Sequence, residues 1–239
     1  MHRSANALRL FVLLALCLAP PTAADVLLDC DFEDQPLDEP IGTGGAAAHQ
    51  PVDIGGMPAM VRTSPTGGRA LEILDYLDYG TDTVRFELLN TAEITTGVLT
   101  FTAVLHFVDF EDYLVYVREP LHSGSSFLDL RFENGGTVSQ GDADDFGMFP
   151  VGSYTTGEDL LLEIVFDMEA ATCAITLDGA LIVPAESHGV TGAGVGSILF
   201  GFDHDSDLDG HYYLQSVTAD HEATATTSRS LGAVKAAWD

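Results

Sequence analysis

The sequence predicts an all-β protein, a two-sheet antiparallel β-sandwich of the jelly-roll kind, and three observations carry that expectation. Helical periodicity is nearly absent between Asp25 and Asp220, where short runs alternate apolar and polar residues instead. Gly, Pro, Asn or Asp bound many of these runs. Two hairpin signals join neighbours: Asp178-Gly179, and the softer Asn134-Gly135-Gly136. Many short strands with no helices between them specify stacked antiparallel sheets.

In chain order, the first segment is read as a leader rather than a strand. Arg3 and Arg9 precede the apolar run Leu10–Ala19, and Pro20 to Ala24 ends in small residues before Asp25. A charged start, an apolar stretch too short to span a bilayer and a small-residue cleavage site make residues 1–24 a secretory signal peptide. Leu16, bulky and directly before Cys17, argues against lipid attachment there. No later apolar stretch reaches spanning length, so no transmembrane segment is expected. The expected location is secreted, periplasmic or cell-surface.

The sandwich is expected over residues 25–219. Its clearest runs are Val26–Phe32, Ala70–Leu74, Thr83–Leu89, Gly97–Val108, Tyr113–Arg118, Phe127–Phe132, Leu160–Met168, Thr172–Leu177, Ala180–Val183, Val195–Phe202 and Tyr212–Thr218. In Leu160–Met168, Leu162, Ile164, Phe166 and Met168 share a dry face, and Glu163 and Asp167 share a wet one. Pro36–Pro65, rich in Gly, Ala and Pro, reads as a long irregular excursion. Residues 220–239 read as a polar linker followed by a short tail.

Roughly 215 residues after the leader suit one sandwich, with a core that needs no staples. The formal charge is −28, and Lys235 is the only lysine. Such a surface repels nucleic acid and anionic membranes, and suits cations or a salty medium. Cys30 and Cys173 both fall at inward-facing positions, which leaves two outcomes open: one disulfide, or two buried thiols.

The sharpest local motif is Phe202–Gly210, where Asp205, Asp207, Asp209 and Gly210 form the D-x-D-x-D-G half of a calcium loop and Asp203 stands just outside it. Position 12 of that frame is Ser216 rather than a bidentate Glu. The motif supports at most a weak or structural Ca²⁺ site at Asp203, Asp205, Asp207 and Asp209; the other reading is a solvated acidic turn. Asp31 or Glu33 completes the shell only if the first strand lies beside the loop.

Several segments resemble one superfamily: Leu27–Asp34, Pro40–Gly45, Leu162–Met168 leading to Thr176–Gly179, Gly194–Gly201, and the closing strand Tyr212–Thr218. Together they resemble the concanavalin A-like lectin/glucanase superfamily, including laminin-G-like jelly rolls of secreted bacterial proteins. The resemblance implies the sandwich fold and a carbohydrate-related role. In many such modules an acidic residue of the closing strand helps hold calcium; here that place carries Gln215 and Ser216.

Glycan recognition asks for aromatic platforms, and the chain offers Tyr76, Tyr79, Tyr113, Tyr116, Tyr154, Tyr212 and Tyr213, about half of which alternation sends to the core. The single tryptophan, Trp238, lies outside the sandwich. Hydrolysis asks for two facing carboxyl groups. Asp31 with Glu33 and Asp109 with Glu111 place two on one face, as polar faces of edge strands, without the three-carboxylate order of the related glucanases. Arg85-Phe-Glu87 has a faint likeness to alginate-lyase strands. The G-x-S-x-G, Gly-Lys-Ser/Thr, C-x-x-C and H-E-x-x-H motifs do not occur, and His106, His122, His188, His204 and His211 are scattered. No catalytic residue is assigned. The leading expectation is an exported, non-catalytic module for carbohydrate or cell-surface recognition, with structural Ca²⁺ as an option. The alternatives are a glycan-cleaving enzyme of this fold and a structural envelope or matrix protein.

Overall fold

The computed structural model describes residues 24–41, 53–54, 59–75, 83–88, 93–119, 126–142, 145–187, 194–202 and 210–223. They form fifteen strands: β1 (Asp25–Cys30), β2 (Asp53–Ile54), β3 (Met60–Thr63), β4 (Arg69–Leu74), β5 (Thr83–Glu87), β6 (Val98–Phe107), β7 (Tyr113–Arg118) and β8 (Ser126–Glu133), followed by the second half of the chain. That half holds β9 (Thr137–Asp142), β10 (Asp145–Ser153), β11 (Asp159–Asp167), β12 (Thr172–Leu177), β13 (Ala180–Ser187), β14 (Ser197–Phe202) and β15 (His211–Glu222). No helix occurs among the described residues.

The strands build two antiparallel sheets packed as a jelly-roll sandwich. One has eight strands in the order β13-β12-β11-β6-β15-β4-β3, with β1 also paired to β15. The other has seven, in the order β10-β9-β8-β7-β14-β5-β2. Alternation supplies the core: Leu99, Phe101, Ala103, Leu105 and Phe107 of β6 and Leu160, Leu162, Ile164 and Phe166 of β11 all turn inward and are buried. At one end Phe107 gathers the rings of Tyr113, Phe132, Tyr154 and Tyr212, with centroids 4.4 to 5.5 Å away. Ring pairs in such geometry add about 0.5–1.5 kcal/mol each beyond their buried area.

The Asp178-Gly179 hairpin forms as expected between β12 and β13, with φ of 48° and 76° at its two central residues. Asn134-Gly135-Gly136 likewise joins β8 to β9. Three expectations need revision. β3 lies inside the stretch read as irregular, because its pairing with β4 and a Pro40–Met60 bridge supply order that its composition hides. β9 and β10 escaped notice because Gly and Pro interrupt their alternation. β15 runs to Glu222, three residues past the expected domain end, because β6 pairs with it along its whole length. Residues 1–23 and 224–239, which include most of the expected leader and most of the tail, lie outside the described residues.

Cys30 and Cys173 are both buried free thiols. Three strands of one sheet, β15, β6 and β11, stand between β1 and β12. Four strand spacings amount to about 19 Å, against a Cα reach under about 7 Å for a disulfide. The bridge that the sequence left open is therefore out of range. Burial pushes both thiols up to about 12, so near pH 8 both stand almost wholly as the unreactive thiol. In a Cys17→Ser background, a thiol-titrating reagent should find almost no reactive sulfur in the native protein at that pH and two thiols after denaturation. A native count of two would contradict the burial. A denatured count of none under non-reducing conditions would mean a bridge.

Candidate functional site

The two outer faces differ. On the seven-stranded sheet, every residue of β14 is buried, and Leu114 and Leu199 are buried on the face turned away from the sandwich core. On the eight-stranded sheet, Val98, Thr100, Thr102 and Val104 of β6 and Glu163, Val165 and Asp167 of β11 are half-buried. Polar groups occur on both outer faces: Arg85, Glu87, Tyr116, Arg118, Asp129 and Arg131 share the outward parity of the seven-stranded sheet, and the eight-stranded sheet carries the row described next.

Register lines up one row across it. Asp159 of β11 pairs with His106 of β6, His106 with Tyr213 of β15, Tyr213 with Glu72 of β4, and Glu72 with Met60 of β3. Directly opposed residues share a face, so an acid, an imidazole, a phenol and a second acid stand side by side. Their sequence neighbours Leu160, Leu105, Phe107, Tyr212, Leu214, Leu71 and Ile73 are buried on the inner face, which fixes the row's direction.

Hydrogen bonds tie the row at both ends. Asp159 Oδ1 accepts from Thr66 Oγ1 at 3.0 Å and from Gln215 Nε2 at 2.5 Å, and lies 2.9 Å from His106 Nδ1. With Nδ1–H given to Asp159, a neutral His106 carries its lone pair on Nε2. Gln215 reaches this carboxylate because it is the extra residue of a bulge between Leu214 and Ser216. The bulge moves the inward-facing positions of β15 from Tyr212 and Leu214 to Val217 and Ala219, and re-aims Gln215 across β6. His106 is only 3% exposed although it lies on an outer face.

At the far end, Tyr213 donates its hydroxyl to Glu72 Oε1 at 3.0 Å, and Arg62 Nε donates to Glu72 Oε2 at 3.2 Å. Arg62 also holds Asp38. Partial burial, then the charge and hydrogen bond of Glu72, push the Tyr213 phenol up to about 12, so it is a neutral donor over the whole working pH range. The His211 and His106 rings stand edge-on to Tyr213 at 5.9 and 6.3 Å. The face therefore offers donors, acceptors and an aromatic edge in one lane, with acidic groups outnumbering the single arginine.

The residues singled out from sequence fare differently. Asp203, Asp205, Asp207 and Asp209 lie outside the described residues, as do Tyr76 and Tyr79. Among the described residues no group of three or more His, Cys, Asp or Glu is placed to hold a metal ion. Gly210, which closes the acidic run, is buried, and a Cβ added to it would sit 2.6 Å from Glu111 Cγ. Tyr113, Tyr154 and Tyr212 are core residues, while Tyr116 and Tyr213 are half-buried.

Asp31 with Glu33 and Asp109 with Glu111 are not on edge strands; both pairs lie in connections, after β1 and between β6 and β7. Phe32, at φ 61°, turns the chain out of β1. Glu33 accepts from the Arg69 amide at 2.8 Å, and Asp109 accepts the Tyr113 hydroxyl at 2.6 Å. Glu111 is 2% exposed and accepts from the Asp112 amide at 3.3 Å. Arg85 pairs with Glu87 on β5 at 3.2 Å.

No protein-family model matches the chain. No curated protein matches it either. Solved structures similar to it include a carbohydrate esterase from the Shiga toxin-encoding bacteriophage phi24B, with TM-score 0.55 and 10% identity, over 84% of this chain and 100% of the other. An alginate lyase of polysaccharide lyase family 7 has TM-score 0.51 and 11% identity, over 68% of this chain and 83% of that one. A sialidase has TM-score 0.51 and 14% identity over 67% of this chain, which spans only 16% of the sialidase. At these identities the likeness concerns fold alone, and it agrees with the two-sheet jelly-roll architecture described above, a concanavalin A-like fold.

Proposed function

We propose that the chain is an exported, non-catalytic module for carbohydrate recognition, and that it holds a glycan against the outer face of the eight-stranded sheet. The row Asp159, His106, Tyr213 and Glu72 carries this reading. Sugars are recognised by carboxylates, amides and hydroxyls that take both roles in hydrogen bonds, beside an aromatic edge for the apolar ring face. The row supplies two carboxylates, a phenol hydroxyl and an aromatic edge on adjacent register positions of four strands, and the bulge residue Gln215 adds an amide. The fold neighbours named above include proteins that cleave or de-esterify glycans, which makes carbohydrate a fitting ligand class.

Distance argues against hydrolysis on this face. Asp159 and Glu72 stand on strands three spacings apart, about 14 Å, whereas a glycosidase needs its two carboxyl groups roughly 5–10 Å apart. Glu72 is also committed through both oxygens, to Tyr213 and Arg62. One observation favours a second reading, glycan cleavage by proton abstraction. His106 Nδ1 is held by Asp159, which leaves Nε2 as a base beside a neutral phenol.

A glycan array probed with the purified protein tests the leading reading. Tyr213→Phe and Asp159→Asn should each weaken binding to any positive glycan about tenfold or more, equivalent to about 1.4 kcal/mol. Incubation with the same glycans should yield neither new reducing ends nor unsaturated products. Binding that both variants leave intact would move the site elsewhere, and product that Tyr213→Phe abolishes would establish the second reading.

Export is the companion proposal, resting on residues 1–24. Expressed in a secreting host, the protein recovered outside the cytoplasm should begin at Asp25. Recovery of the intact Met1 terminus would refute it.

We also propose structural Ca²⁺ at the run Asp203, Asp205, Asp207 and Asp209, with Glu111 as the buried carboxylate beside the closing Gly210. Ca²⁺ should raise the melting temperature of the wild type by several degrees, and Asp207→Asn/Asp209→Asn and Glu111→Gln should each lose most of that gain. A calorimetric titration without heat and a melting temperature indifferent to Ca²⁺ would end the proposal.

A further inference from the structure

A cleft of about 440 Å³ opens at the side of the sandwich where β10 of one sheet approaches the β12–β13 hairpin of the other. Its volume falls within the range of small-molecule sites. The polar lining is Ser153, Thr155, Glu158, Asp159 and Asp178, with Ile182 among the apolar wall residues. Three acidic residues line this space, and among the described residues no lysine or arginine does.

The cleft adjoins the row on the sheet face, because Asp159 belongs to both. The three hydrogen bonds on Asp159 all converge on Oδ1. That oxygen anchors the carboxylate, and Oδ2 accepts no bond among the described residues. Asp178 behaves alike: Oδ1 accepts from the Leu161 amide at 2.8 Å, which orients the carboxylate, and no bond to its second oxygen occurs among the described residues. Two carboxylates are thus held by one oxygen each, with the other left to a ligand. Glu158, exposed, adds a third.

We propose that this cleft is a subsite for an amino sugar whose amine is free and protonated, one unit of an oligosaccharide lying along the row. The inference rests on the glycan-recognition reading given above and specifies its ligand. A hexosamine supplies an ammonium for the carboxylates and hydroxyls for Ser153 and Thr155. A uronate or a sulfated sugar would bring like charge into an acidic cleft inside a chain of formal charge −28. N-acetylation removes the ammonium and leaves the rest of the ring unchanged, so it isolates the proposed interaction.

The test uses the full chain with three probes at mildly acidic pH and low salt: a glucosamine trimer, its fully N-acetylated counterpart and a neutral cello-oligomer of equal length. The free-amine trimer should bind about tenfold tighter than the acetylated one, and added salt should shrink the difference. Glu158→Gln/Asp178→Asn should abolish that preference by bringing the affinity for the free-amine trimer to that for the acetylated one. This variant keeps the fold, because Glu158 is exposed and Asn-Gly serves the same hairpin turn as Asp178-Gly179. Glu163→Gln/Asp220→Asn removes the same charge from the sheet face outside the cleft and should leave the preference intact.

Equal affinity of the wild type for both trimers would overturn the subsite and leave glycan recognition standing. So would a preference that both double variants retain alike, since that marks diffuse attraction to an acidic protein. Failure of all three probes, with an empty glycan array, would overturn the subsite together with the reading on which it rests.

Discussion

The pairing of β6 with β15 is the constraint on which the rest of the molecule depends. It runs from Tyr212 opposite Phe107 to Glu222 opposite Val98, and β15 in turn carries β4 along one part of its other edge and β1 along another. β6 passes the ladder on to β11 without a break. A slip of one residue between β6 and β15 would turn Tyr212, Leu214, Val217 and Ala219 to solvent, and would also separate Tyr213 from His106. The core and the polar row are therefore set by one register. The buried Tyr212 hydroxyl, which has no hydrogen-bond partner among the described residues, is a cost of about 1–3 kcal/mol that this packing tolerates.

Much of the architecture was legible in the sequence because alternation and turn chemistry are local. Leu160–Met168, the Asp-Gly hairpin and the absence of helical periodicity all survive in the structure. β3 was not legible, since a strand of four residues in a Gly- and Ala-rich setting owes its existence to β4. The polar row was not legible either. Its members lie at positions 72, 106, 159 and 213, and no spacing rule connects them; only the ladders do. The one local trace was Gln215, which first stood out as an uncharged residue in a place where the resembled modules often carry an acid. Its bulge was hidden, because a change in inward parity along β15 can be recognised only once the partner strand is known.

Charge takes on a different meaning when it is placed in the fold. Summed over the chain, the acidic excess speaks only of solubility and of which polyanions stay away. On the sheet face, the same excess is partly converted into fixed acceptors: Asp159 and Glu72 are held in place by Thr66, Gln215, Tyr213 and Arg62. A carboxylate whose direction is set by its neighbours loses little entropy on meeting a ligand, which is what separates a binding lane from an acidic coat.

The edges of the two sheets carry a further consequence. β2 is two residues long, β3 is four, and the Pro40–Met60 bridge extends along β3. β10 and β13 each contain a proline, Pro150 and Pro184, whose nitrogen has no hydrogen to offer an incoming strand. β10 and β13 also lie near one another. A fold made almost wholly of strands is exposed to edge-to-edge growth into sheets of many molecules. Here brevity at one end of each sheet and proline at the other reduce the template for growth through the backbone.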